Sequence, residues 1–268
     1  MANKVFALWG SPGSGKKLTA VKIAKALGEL KQNVIVVGCD DQTPLLPLLL
    51  PSTSGLPSLG DALAVDQLSQ IEVLRHCVSY GKSPYISLLG YCLGENVMSY
   101  PEYSLQRASE LFSHLRRLAD ADFVLIDCSS NLDNILTASA LKQADVTLKI
   151  LNADPKSLVY FQSASPLLLR DSGYRYGEQV NILNNLHPSQ DIDPAREVVG
   201  GIAYTLPNVP ELKSQYDRGA LLETVFGKTA REYEMQLKKL VTEVFIHEPE
   251  HGIVRRRKPA VGDVSGSA

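Results

Sequence analysis

A glycine-rich segment near the beginning of the chain has the residue types and spacing needed to bind phosphate. It reads Gly10-Ser11-Pro12-Gly13-Ser14-Gly15-Lys16, which satisfies GxxxxGK, and it lies between an apolar stretch (Lys4 to Trp9) and a helical pattern (Lys17 to Leu30). Glycines let the backbone curl so that successive N–H groups point at phosphate oxygens, and the N-terminus of the following helix adds partial positive charge. Lys16 would then bridge the terminal phosphates. A glycine-rich turn without a ligand is the alternative.

The residue after that lysine departs from the motif. A Ser or Thr at this position ligates magnesium through its hydroxyl, whereas this chain has Lys17. An ammonium group only donates hydrogen bonds and cannot ligate a metal. Three alternatives follow: magnesium is held without this ligand, the lysine charge replaces part of it, or Lys17 points into solvent. Thr19 lies about half a helical turn further round and is not expected to substitute.

The elements that must position these residues alternate along the chain. Helical patterns at Leu105 to Leu118 and Tyr233 to Val244 lie among short apolar runs that are long enough for buried strands. These runs are Val5 to Trp9, Val34 to Val37, Ile86 to Leu89, Phe123 to Ile126, Val146 to Leu151, Val180 to Leu183 and Val199 to Ala203. The alternation predicts an α/β chain with three layers, in which helices cover both faces of a mainly parallel central sheet.

Polar residues follow several of these predicted strands. Asp40 to Gln42, Asp127 and Asn184 each come directly after a strand, as the glycine loop does. A lone acid at such a position is often only a helix cap. Because ligands of parallel sheets lie beyond the carboxyl ends of the strands, the shared edge favours a role in ligand binding. The proline-rich stretch from Thr43 to Gly60 predicts a mobile loop leaving the second strand.

Composition limits the classes of function. With 268 residues, 44% hydrophobic and 21% charged, the chain is expected to be globular, with one domain over 1–246. Residues 247–268, which carry a basic run at 255–258, predict a disordered tail. The net charge of −2 provides no general attraction to nucleic acid, so nucleic-acid binding is not expected beyond that run.

Location follows from what the sequence lacks. The chain has four dispersed cysteines, no secretory signal and no apolar stretch of membrane-spanning length. We therefore expect a cytoplasmic protein that is not integral to a membrane. Peripheral contact through an amphipathic helix at Tyr233 to Phe245 is left open, although packing on the core is favoured because its polar face carries both acids and lysines.

Together, these residues resemble the ParA/MinD family of P-loop ATPases over most of residues 1 to 246. In that family an aspartate after the second strand helps to position the attacking water, and Gly38-Cys39-Asp40-Asp41-Gln42 keeps it as Asp40. The segment Phe123 to Asp127 looks like the family's Walker B element, which implies that Asp127 lies near the metal through water. The resemblance thus implies catalytic roles for Lys16, Asp40 and Asp127, and places Asp40 and Asp127 beside Mg²⁺.

The resemblance extends to the base. Val180 to Asn184 is similar to the strand whose final asparagine reads the adenine edge, and Ile202 to Pro207 is similar to the later base-binding segment. ATP or ADP is therefore the expected ligand, with Mg²⁺ left open by Lys17. The implied nucleotide contacts are Gly10, Ser11, Pro12, Gly13, Ser14, Gly15, Lys16, Lys17, Leu18, Asn184 and Pro207.

Three departures from the family's pattern separate this chain within it. The family's extra lysine, which reaches across a nucleotide-bridged dimer, is Ser11 here, so a homodimer is left open. With Lys17 and Gly38, this change resembles the divergent TadZ/CpaE-like branch, which places pilus-assembly machinery at a cell pole.

Cys92 invites comparison with related iron proteins that hold a cluster between subunits, but a second suitable cysteine is not evident.

The function implied by this resemblance is an ATP-binding protein that positions a partner complex in the cell. It would act through a nucleotide-dependent surface on a protein partner of unknown identity, with weak hydrolysis. One alternative is a nucleotide-stabilised scaffold without catalysis. The other is a DNA-segregation or plasmid-segregation ATPase that uses a basic surface.

Overall fold

The computed structural model describes residues 3–96, 98–170 and 178–247. The predicted disordered tail, apart from His247, lies outside these residues, and so does its basic run. Within them the chain alternates strands and helices around one sheet. None of the helices in this part of the chain has the length and apolar character needed to cross a bilayer.

The sheet contains eight strands in the described ranges. They are β1 (Lys4–Gly10), β2 (Val34–Gly38), β3 (Val78–Ser79), β4 (Ile86–Leu89), β5 (Phe123–Asp127), β6 (Val146–Leu151), β7 (Glu178–Leu186) and β8 (Tyr204–Pro207). Their order across the sheet is β3-β4-β2-β5-β1-β6-β7-β8. Every pair is parallel except β3 with β4. The carboxyl ends of the central strands therefore meet at one edge.

Helices pack on both faces of the sheet. They are α1 (Lys16–Glu29), α2 (Leu46–Leu49), α3 (Leu59–Ala64), α4 (Gln70–Arg75), α5 (Leu105–Arg116), α6 (Ile135–Gln143), α7 (Pro155–Arg170), α8 (Asp193–Val199), α9 (Pro210–Asp217) and α10 (Lys228–Val241), with a π-helical turn at Thr242–Ile246. Residues of α1, α2, α9 and α10 contribute to one core, and residues of α3 to α8 contribute to the other. The predicted three-layer α/β fold is confirmed.

The side chains of β1 show why both faces must be covered. Phe6 and Leu8 point into the core under α1 and α10, where the Phe6 ring stacks on Phe245 with centroids 4.1 Å apart. Val5, Ala7 and Trp9 point into the opposite core, and Trp9 lies 5.3 Å from the Phe161 ring of α7. A strand that is apolar on both faces loses exposed apolar area only when helices pack on each face.

Two elements differ from the sequence-based expectation. The strand predicted at Val199 to Ala203 is wrong, because Val199 ends α8 and two glycines with positive φ then turn the chain into β8: Gly200 (φ 72°) and Gly201 (φ 121°). The stretch from Thr43 to Gly60 is more regular than predicted. It contains α2 and the beginning of α3, and the side chains of Leu45 and Leu46 are fully buried.

Candidate functional site

The loop between β1 and α1 requires glycine at three positions. A Cβ on Gly10 would lie 1.9 Å from the carbonyl oxygen of Ile150, so the neighbouring strand excludes any side chain there. Gly13 (φ 77°) and Gly15 (φ 86°) adopt the left-handed conformation that favours glycine. Gly15 precedes α1 without a side-chain cap, so the first N–H groups of the helix remain available to an anion.

A cavity of about 560 Å³ opens beside this loop at the carboxyl edge of the sheet. Most of the predicted site residues line it: Gly13, Ser14, Gly15, Lys16, Lys17, Leu18, Asp40, Asp127, Asn184 and Pro207. Gly10, Ser11 and Pro12 do not. Several other lining residues were not among the predicted site residues: Thr43, Asn185, Asn208, Val209, Leu212, Lys213, Tyr216 and Tyr233. This phosphate cavity has the position expected for a nucleotide in a parallel sheet.

Lys16 is held by oxygens at the rim of the loop. Its Nζ donates to the carbonyl oxygens of Gly10 and Ser11, both at 3.1 Å, and to Ser130 Oγ at 2.6 Å. Ser130 Oγ in turn donates to the Gly10 carbonyl oxygen at 2.9 Å. Burial lowers the pKa of Lys16, and the nearby carboxylates of Asp127 and Asp40 oppose that shift. Ser130 was not predicted as a site residue. Its position three residues after Asp127, close to the end of a predicted strand, could have indicated it.

Lys17 faces inward, so the alternative in which it points into solvent is wrong. Its side chain is only 12% exposed, and its Nζ lies 3.2 Å from Asp40 Oδ2 and 3.9 Å from Asp127 Oδ2. It also donates to the Thr43 carbonyl oxygen. The second oxygen of Asp40 accepts from the backbone N–H groups of Gln42 and Thr43, each at 3.2 Å. Both oxygens of Asp40 are therefore engaged.

Asp127 is a buried carboxylate with an incomplete set of partners. It is 1% exposed, and its Oδ2 has no hydrogen-bond partner among the residues described. Burial raises the pKa of Asp127 to about 6, although the charges of Lys17 and Lys16 oppose the shift. The nearest cation at Oδ2 is supplied by the chain itself, through Lys17.

These residues do not fit Mg²⁺. Magnesium demands near-octahedral oxygen ligands, and it repels an ammonium group. Here the residue that should supply a hydroxyl instead places an ammonium within ion-pair distance of Asp40 and Asp127. In the parts of the chain that the structure describes, no group of three or more His, Cys, Asp or Glu residues could hold a metal. The predicted roles of Asp40 and Asp127 beside a metal are therefore not supported by the donor set.

Ser11 is tied to the opposite side of the loop. It is 1% exposed, and its Oγ lies 2.8 Å from Oγ of Ser157 on α7. On the other flank, Asn184 Nδ2 donates to the Ser14 carbonyl oxygen at 2.8 Å. The loop is thus braced from α7 and from β7. The amide predicted to read adenine uses its N–H group to hold the loop in this structure.

Cys92 lies apart from the phosphate cavity. Cys92 is 6% exposed, and its Sγ lies 3.8 Å from the Leu56 carbonyl oxygen. Burial raises the pKa of Cys92, which disfavours the thiolate that iron requires. The burial of Cys92 and its raised pKa therefore do not favour it as a cluster ligand.

Comparison with known proteins places this geometry among the ParA and MinD structures. The ParA family ATPase of Chlorobium tepidum TLS is 18% identical, with a TM-score of 0.74 over 90% of this chain and 98% of that chain. MinD of Pyrococcus horikoshii OT3, a septum site-determining protein solved with Mg-ADP, is 19% identical, with a TM-score of 0.71 over 89% and 96% of the two chains. No protein-family model matches the chain.

A curated relative is similar in sequence. The iron-sulfur ATP-binding protein of light-independent protochlorophyllide reductase from Methylobacterium radiotolerans is 25% identical over 210 residues, which cover 74% of this chain. The match spans 66% of that relative's length. The expected resemblance to the ParA/MinD family is confirmed, and this chain has the fold of the ParA/MinD-type P-loop ATPases.

Proposed function

We propose that the chain binds ATP or ADP in the phosphate cavity and, in that state, positions a protein partner in the cell. The observation that carries the proposal is the convergence on one cavity of Lys16, the uncapped start of α1, and the walls formed by Asn184 and Pro207. These groups would hold phosphate at one end and base at the other. The names of similar proteins support this, since one is ATP-binding and another is septum site-determining with Mg-ADP.

Weak hydrolysis is part of this proposal. In the implied mechanism Asp40 orients the attacking water, but Oδ2 of Asp40 is paired with Lys17, and Oδ1 accepts two backbone N–H groups. A carboxylate with both oxygens engaged has little capacity left to align water. The proposal therefore favours nucleotide occupancy, rather than turnover, as the functional signal. A scaffold without any catalysis is the second candidate, and the same observation supports it.

The position of Ser11 bears on whether the partner is a second copy of this chain or a different protein. The hydroxyl of Ser11 is buried against Ser157, so it is not presented at the surface of this chain. A homodimer would therefore need contacts other than those of the family's extra lysine. The partner proposed here is a different protein that recognises the nucleotide-bound form, and the pilus-assembly role implied by the TadZ/CpaE-like departures stays within this proposal.

Nucleotide binding is tested with Lys16→Ala. Loss of a charge-assisted hydrogen bond to phosphate weakens binding by about 1.5–3 kcal/mol, so we expect ADP and ATP affinity to fall at least about tenfold by titration calorimetry. Lys25→Ala is the matched control, because Lys25 lies on the same helix but pairs with Glu29 at the surface. Equal affinity in the native protein and Lys16→Ala would contradict the proposal.

Turnover separates the two candidates. ATP hydrolysis that is slow in the native protein and clearly faster in Lys17→Thr indicates an ATPase impaired at position 17. No turnover in either protein favours the scaffold. Capture of a partner from the native host should depend on nucleotide and should be lost in Lys16→Ala. The DNA-segregation alternative requires duplex binding that weakens steeply with salt.

A further inference from the structure

The residue after the phosphate-loop lysine places a second cation in the phosphate cavity. Lys17 reaches it from the first turn of α1, and both Lys16 and Lys17 line this cavity. The side chain of Lys17 is largely buried, and its ammonium group is fixed by Asp40, by the Thr43 carbonyl oxygen and by the charge of Asp127. This is a built position, because two separate segments of the chain, one after β2 and one at the end of β5, place three oxygens around one nitrogen.

The two carboxylates that receive this ammonium are those that the family resemblance assigns to the metal side of the site. Oδ2 of Asp127 is buried without a hydrogen-bond partner among the described residues, and Lys17 Nζ lies 3.9 Å from it. Oδ2 of Asp40 lies 3.2 Å from the same nitrogen. A divalent cation at this point would sit beside a fixed positive charge, and the two would repel each other strongly in a partly buried site.

We propose that Lys17 is a tethered replacement for Mg²⁺, so that this chain binds nucleoside diphosphates and triphosphates without a divalent metal. The inference rests on the proposed nucleotide-binding function. Lys16 and Lys17 together supply two positive charges near the phosphates, and the free N–H groups at the start of α1 add to them. The tethered charge neutralises phosphate but ligates no oxygen, because an ammonium group only donates hydrogen bonds. Nucleotide occupancy would then not respond to the concentration of free Mg²⁺.

The test measures ADP and ATP affinity by calorimetry in excess Mg²⁺ and again in EDTA. For the native protein we expect the two dissociation constants to agree within about threefold. In Lys17→Thr the hydroxyl ligand is restored, and we expect EDTA to weaken binding at least about tenfold, the equivalent of about 1.4 kcal/mol. Lys25→Thr makes the same change on the same helix away from the cavity, and it should keep the native ratio.

Each contrary outcome has a distinct meaning. Native protein that binds nucleotide only with Mg²⁺ overturns the replacement of the metal and leaves the proposed function standing. No binding in either condition overturns both. Lys17→Thr that binds with the native ratio shows that Lys17 does not replace the metal. If Lys17→Thr does not fold, the nucleotide affinity of the native protein in EDTA and in Mg²⁺ still tests the proposal. The shift in the thermal unfolding temperature caused by nucleotide, measured in EDTA and in Mg²⁺, is the second readout.

Discussion

Two of the lysines of helix α1, Lys17 and Lys22, have largely buried side chains whose surroundings differ in charge. Lys17, at the phosphate cavity, faces the carboxylates of Asp40 and Asp127. Lys22, which is 5% exposed, donates to uncharged oxygens: Oε1 of Gln215 at 2.7 Å and the backbone carbonyl of Glu223 at 3.2 Å. The comparison shows that burial alone does not give a lysine its role. Carboxylate partners give Lys17 the surroundings of the proposed substitute cation, whereas Lys22 hydrogen-bonds to uncharged oxygens in a structural contact.

The second lysine lines its own cleft of about 210 Å³ between α1 and the α9–α10 side of the sheet. Burial lowers the pKa of Lys22 to about 8, and the charge of Lys25 adds to the shift. The acids of the cleft oppose it only in part. Leu212 and Tyr233 line both cavities, so one wall separates the two environments.

The largest effect is expected from Lys17→Met. This substitution leaves the buried carboxylate of Asp127 without its cation, and breaking a buried charge pair from one side costs about 3 kcal/mol or more. We expect the free energy of unfolding near pH 7 to fall by about 3 kcal/mol in urea denaturation. Lys25→Met removes a lysine whose partner, Glu29, is more than half exposed, and should change it by less than about 0.5 kcal/mol.

A double variant locates the source of that loss. Lys17→Met combined with Asp127→Asn removes both charges, so most of the lost stability should return. Lys17→Met alone with native stability would show that the carboxylates do not need this ammonium. The contrast between Lys17 and Lys22 would then disappear.

Helix α1 and the loop before it show which features of the site could be predicted from the sequence and which could not. Apolar runs and the glycine spacing predicted β1, the loop and α1, because a strand covered on both faces must be continuously apolar and the loop tolerates no side chain at Gly10. The direction of Lys17 could not be predicted, since it depends on how the segment after β2 brings the Thr43 carbonyl oxygen to the cavity. The strand predicted from the apolar run at Val199 to Ala203 was wrong because its structure also depends on neighbouring residues. Short apolar runs are compatible with a helix end as well as a strand, and the glycines that follow decide.

An intermediate effect is expected from pH at Lys22. Its folded pKa of about 8 lies below the ordinary value of 10.5, so between these values the unfolded chain binds more protons and stability rises with pH. After allowance for solvent screening, we expect the contribution of Lys22 to grow by about 1 kcal/mol from about pH 7.5 to about pH 9.5. The measurement is the difference in unfolding free energy between the native protein and Lys22→Met at the two pH values.

The control for this prediction is the same pair of pH values applied to Lys213→Met, which removes an exposed lysine that pairs with Asp217 on α9. Other groups that titrate in this range are shared by all three proteins and cancel in the differences. A difference between native protein and Lys22→Met that does not change with pH would mean that Gln215 and the Glu223 carbonyl hold the ammonium as well as water does.

The smallest effect is expected at the wall between the two cavities. Tyr233 is 2% exposed, burial raises the pKa of its hydroxyl, and Oη has no hydrogen-bond partner within the described ranges. An unpartnered buried hydroxyl is destabilising, so Tyr233→Phe should raise the free energy of unfolding by up to about 1 kcal/mol. Tyr204→Phe is the opposing control, because Tyr204 Oη donates to Glu243 Oε2 at 2.8 Å and its loss should lower stability by about 0.5–1 kcal/mol. Removing a hydroxyl that contacts no nucleotide should leave nucleotide affinity unchanged. A clear loss of affinity in Tyr233→Phe would therefore show that the hydroxyl of Tyr233 contacts nucleotide in the phosphate cavity.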